Sequence, residues 1–97
     1  MTTAKTIIEL LGIADRALTV EACQQKRQKA QRDLRAAYDA WKTEHRIKDR
    51  MEAGSDDMER MKAATEAEYD LLTEAKRDEA NAHKRLQSAI SKYRKQG

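Results

Sequence analysis

Met51-Glu52-Ala53-Gly54-Ser55-Asp56-Asp57-Met58 is the stretch whose reading decides the fold. Gly54 sits where a helix C-terminus needs a residue that tolerates a left-handed backbone. Ser55 is a good N-cap, because its hydroxyl can accept from the unpaired amides of a following first turn. Asp56 and Asp57 then complement the positive end of the next helix dipole. A stop followed at once by a start leaves room only for a tight reversal, and helices joined by so few residues pack as antiparallel neighbours.

Working outward, both flanks carry helical patterning and little else. There is no Pro or Phe in the 97 residues, and 38% of them are Asp, Glu, Lys or Arg. Many Ala, Glu, Lys and Arg with few bulky apolar residues is the composition of long helices and coiled coils, and without Pro nothing interrupts a helix in mid-run. Downstream of the turn the pattern predicts a helix over 56–93, roughly 55–60 Å long at about 1.5 Å per residue. Upstream it predicts a helix over 20–51, with Thr19 as its N-cap and residues 52–55 as the turn. A short helix over 7–17 precedes it, on the strength of a capping-box match at Thr6-Ile7-Ile8-Glu9. The expected architecture is all-α, a single domain over 1–97. It is an antiparallel, coiled-coil-like helical hairpin with a short N-terminal helix packed on its open end.

The heptad seams set a register. Val20, Cys23, Arg27, Ala30, Leu34, Ala37 and Trp41 repeat on one helix, and Met58, Met61, Thr65, Glu68, Leu72, Ala75, Glu79, Ala82, Leu86, Ala89 and Tyr93 on the other. Folding about residues 54 and 55 puts Ala37 against Leu72, Leu34 against Ala75 and Cys23 against Leu86, so that larger residues meet smaller ones. Arg27 and Glu79 fall on this seam about one layer apart, and an ion pair between them would fix the register. Glu68 falls opposite Trp41.

Half of the Ile and Leu residues, namely Ile7, Ile8, Leu10, Leu11, Ile13 and Leu18, occupy the first eighteen positions. They span too wide an arc for one stripe on a two-helix hairpin. Part of this surface is expected to cover the open end, over Val20, Leu86, Ile90 and Tyr93, and part to be intermolecular. Ile7, Ile8, Leu11, Leu18 and Trp41 are the candidates for self-association or partner binding, with a dimer as the first expectation.

Net charge is only +3, but it is unevenly placed. Residues 52–79 hold ten acids and four bases, and no acid follows Glu79. An acidic tip and a basic open end are the expectation. Lys26, Lys29, Arg32, Arg35, Lys84, Arg85 and Lys92 are the candidates for phosphate contacts, whose signature would be a steep loss of binding with salt. Tyr38, Trp41, Tyr69 and Tyr93 are too dispersed for a base-stacking platform.

Catalytic patterns are missing. The chain has no Gly-rich phosphate loop and no paired Cys with zinc spacing. Glu79 and His83, one turn apart, offer two ligands where a specific metal site needs more. The lone Cys23 cannot form an internal disulfide, which fits a reducing cytoplasm. The apolar run Ile7–Ile13 is too short to span a bilayer. The Trp-x-Gly signature of small secreted helical hairpins is also absent: Trp41 is followed by Lys42 and Thr43. The compact, charged style resembles accessory proteins of phages and mobile elements. The sequence therefore predicts a non-enzymatic cytoplasmic protein without cofactor or membrane partner, a modulator or inhibitor that docks on a larger host protein. The alternatives are a nucleic-acid-binding hairpin using the basic open end, and a structural coiled coil for assembly.

Overall fold

The computed structural model describes residues 3–48 and 50–96, and the described residues are helical apart from the connection and the helix caps. Helix α1 spans Ala4–Glu44, α2 spans Asp56–Ala64 and α3 spans Glu66–Gln96. α1 packs against α3, and the molecule is a rod of 67 × 19 × 19 Å.

The separate N-terminal helix does not exist: α1 runs unbroken through Leu18-Thr19-Val20. Thr19 does not cap a new helix. Its hydroxyl donates to the Asp15 carbonyl one turn back, at 3.1 Å, which is how threonine is accommodated inside a helix. The N-cap is Thr3, not Thr6. Thr3 has extended backbone angles and its Oγ1 accepts from the Thr6 amide at 3.2 Å. With no fold-back, Ile7 to Leu18 stay on the rod and do not lie across its open end.

At the other end α1 stops at Glu44, seven residues before the expected Met51. The stop is a Schellman cap. Ile47 N–H donates to Lys42 O at 2.9 Å, and Arg46 N–H donates to Thr43 O at 3.2 Å. Arg46 takes the left-handed conformation that this motif requires, with φ of 56°. The connection is therefore residues 45–55 rather than four residues. Gly54 still takes a positive φ of 80°, but inside that connection and not at a helix end. Ser55 caps α2 as its position suggested, accepting from the Met58 amide at 3.2 Å, with Asp56 and Asp57 in the first turn.

The longer connection moves the register. Arg27 is ion-paired with Glu79, so facing residues have numbers summing to about 106, not 109. That is a slip of three residues, just under one helical turn. It aligns Val20 with Leu86, Leu34 with Leu72 and Trp41 with Thr65, one such layer per heptad, with the ion pair as the fourth. Cys23 with Ala82, and Ala30 with Ala75, fall between them. Bulky and small layers thus alternate along the rod rather than across it. The buried residues follow these layers: Val20, Leu34, Trp41, Met61, Thr65, Leu72 and Ala82.

α2 and α3 replace the single expected helix over 56–93. They part at Thr65, whose hydroxyl donates to the Met61 carbonyl at 2.8 Å while its backbone N–H uses the same acceptor at 3.1 Å. Thr65 is a buried residue of the Trp41 layer, so the interruption falls within the seam.

Candidate docking surface

The continuity of α1 decides where the N-terminal apolar residues point. At 100° per residue, Val20, Cys23, Arg27, Leu34 and Trp41 define the face turned to α3. Ile7, Leu11, Ala14 and Leu18 lie on the opposite side, spaced four, three and four apart. All four are exposed, as are Ile8 and Leu10 on the flanks of the stripe. Leu11 keeps 64% and Leu18 66% of its surface in solvent, while Ile13, turned toward α3, is partly covered. Four of the five expected docking residues therefore share one end of the rod as an open apolar surface.

The fifth is elsewhere. Trp41 is buried, with 8% of its surface exposed, and its ring stacks on His45 with centroids 4.0 Å apart. His45 Nδ1 lies 2.9 Å from the Trp41 carbonyl, so Trp41 and His45 together close the C-terminus of α1. Trp41 is a packing residue of the turn end and has no part in an exposed stripe.

The expected basic end also divides. Lys84, Arg85 and Lys92 do come together, lining a shallow hollow at the open end with Arg16, Tyr93 and Glu9. Lys26 and Lys29 line a different hollow at mid-rod among Asp33, Glu74 and Asp78, and Lys29 Nζ lies 2.9 Å from Asp33. Arg32 and Arg35 line a third, with Gln28 and Gln31. The register explains the division. It sets the basic block of α1 beside the acidic stretch of α3, and it leaves the turn end, residues 41–65, with six acids and six bases. The acidic tip is therefore absent, and the basic excess sits on the last turns of α3.

Among the described residues no set of His, Cys, Asp and Glu could hold a metal ion. His83 Nε2 stands 3.9 Å from one oxygen of Glu79, while the other oxygen is engaged by Arg27. Cys23 is partly buried in the seam. No helix among the described residues is long and apolar enough to cross a membrane.

Two features escaped the sequence reading. Leu71 and Tyr69 are exposed on α3, at 61% and 55%, because they flank the seam that Thr65, Leu72 and Ala82 keep. Glu68 Oε2 is enclosed without a hydrogen-bond partner, a condition that costs roughly 1–3 kcal/mol. The stripe itself was legible, since the heptad phase carried backward from Val20 puts Ile13 on the packed side and Ile7, Leu11, Ala14 and Leu18 opposite it. Assuming a break at Leu18–Val20 discarded that phase. Comparison of the chain with protein-family models, curated proteins and solved structures finds no match.

Proposed function

We propose that this chain is a non-catalytic docking module, a helical-hairpin modulator that acts on a larger host protein through helix-to-helix contact. The observation that carries this reading is the apolar face of α1, turned away from α3 and open to solvent at Ile7, Ile8, Leu11 and Leu18. Contiguous apolar patches on soluble proteins mark interaction sites, and a stripe at four-three spacing is the form that receives an amphipathic helix. The rest of the rod is well placed to support such a role, since its turn end is capped and packed.

The test is affinity capture with the full chain from its host, comparing wild type with Leu11→Glu/Leu18→Glu. A partner recovered by wild type and lost by the variant supports docking through the stripe. Equal recovery by both would remove the stripe from the reading.

A second reading, nucleic-acid binding, is favoured by one observation: Arg16, Lys84, Arg85 and Lys92 gather around a single hollow. In this reading Lys26, Lys29, Arg32 and Arg35 contribute less, because acidic neighbours or a separate hollow hold them apart. Fluorescence anisotropy with a short duplex at two salt concentrations decides it. Binding that weakens steeply with salt supports phosphate contacts, and absence of binding at low salt rules them out.

A further inference from the structure

Resting on the docking reading, we infer that in the free protein the α1 stripe is covered by the same stripe of a second copy, the two helices running antiparallel, and that a host partner takes the stripe by displacing that copy. Ala4, Ile7, Leu11, Ala14 and Leu18 repeat at three-four spacing, as an a/d coiled-coil seam does. Facing residues whose numbers sum to 25 place Ile7 against Leu18 and Leu11 against Ala14, with the same layers repeated by the two-fold axis. A surface that complements itself in this way is what a closed two-fold dimer requires.

Surface area points the same way. The chain exposes 7857 Å², against roughly 5,700 Å² for a folded monomer of its 11.1 kDa mass. The surplus of about 2,000 Å² per chain comes from the rod shape, and a standard stable interface buries roughly 1,200–2,000 Å² in total. Within the rod no described side chain is wholly enclosed, and even Ala82 keeps 3% of its surface exposed. Small helical scaffolds with so little core commonly gain stability by association.

Charge selects the direction. Beyond Leu18 the outward face of α1 continues through Glu21, Gln25 and Arg32. A parallel, in-register pair would set Glu21 on Glu21 and Arg32 on Arg32, like charges facing across the seam. The antiparallel pair ends its overlap at Glu21 and holds the two Arg32 side chains about 60 Å apart along the axis. The result is an end-overlapped rod roughly 110 Å long, with the rise per helical residue as the ruler.

The experiment measures mass and cross-linking on the full chain. In sedimentation equilibrium the wild type should run at twice the 11.1 kDa chain mass. Leu11→Glu should return to a single chain while keeping its helical circular dichroism, since Leu11 touches no part of the hairpin core. Cysteine pairs then read the direction in a Cys23→Ser background. Ile7→Cys mixed with Leu18→Cys should form a disulfide, because facing positions lie within bonding reach. Ile7→Cys alone should not, its copies standing about 16 Å apart along the axis. Efficient cross-linking of Ile7→Cys with itself would overturn the antiparallel direction. A wild type that remains a single chain at high micromolar concentration would overturn the second copy altogether. In that case the lysate capture decides separately whether the stripe docks another protein.

Discussion

The two ends of this rod use apolar residues in opposite ways. At the turn end, Leu34, Trp41, Met61 and Leu72 are buried with Thr65, and the chain is fastened by a Schellman cap and a serine N-cap. At the open end Ile7, Ile8, Leu10, Leu11 and Leu18 stand in solvent along one helix. The apolar-rich end is thus the poorly buried one. Hydrophobic content does not locate a core by itself; the phase of each residue relative to the packed face does. The turn end stabilises the hairpin, and the open end is available for association.

The largest effect expected from that contrast is at Trp41. Trp41→Ala removes a buried ring and its stack on His45, and should cost about 3–5 kcal/mol, enough to unfold a chain with so thin a core. Ile8→Ala, at the open end, should change hairpin stability by no more than about 0.5 kcal/mol. Thermal melts followed by circular dichroism check both. Comparable losses at the two positions would break the distinction between a packed and an unpacked end.

The boundary between the ends is marked by the Arg27–Glu79 pair, whose side chains are 28% and 15% exposed. Glu79→Ala should cost about 1–2 kcal/mol, between the values for exposed and buried pairs. Replacing both residues by Leu should recover most of that loss while weakening the register, because an apolar layer tolerates slipping where a charged layer does not. Urea midpoints give the energies, and a broadened NMR spectrum of the double variant would report the slip.

Much of this was legible in the residues. Ser55 with Asp56 and Asp57 reads as a helix start, and the heptad pattern gives two antiparallel helices joined near Gly54. The basic trio Lys84, Arg85 and Lys92 reads as a cluster and is one. The errors share a physical origin. Thr6 and Thr19 resemble N-caps in sequence, but a threonine can equally donate to the carbonyl one turn back, as Thr19 does to Asp15. Gly54 resembles a C-cap, yet α1 ends earlier on Arg46, a residue type that gives no signal for a left-handed cap. That early end shifted the register by three residues, and with it the partners of every charged side chain. The exposure of the α1 stripe followed from a helix continuing where a break was expected.

Backbone propensity separates the ends at a finer scale, because each has the wrong residue for its local conformation. Arg46 holds φ of 56° at the cap of α1, where a residue without Cβ would avoid a cost of about 1 kcal/mol. Gly12 lies inside α1, where glycine costs roughly 0.5–1 kcal/mol relative to alanine. Arg46→Gly should therefore raise the melting temperature by several degrees, at about 4–8 °C per kcal/mol for a domain of this size. Gly12→Ala should raise it less. A new Cβ would come within 3.1 Å of the Arg16 Nη1 atom, the mobile end of a flexible side chain. That group also donates to the Gly12 carbonyl at 3.0 Å, so part of the helical gain is spent on displacing it. The two sites lie at opposite ends of the rod, so their effects should add. A Gly12→Ala gain larger than that of Arg46→Gly would mean that the open end, not the turn end, limits the stability of the hairpin.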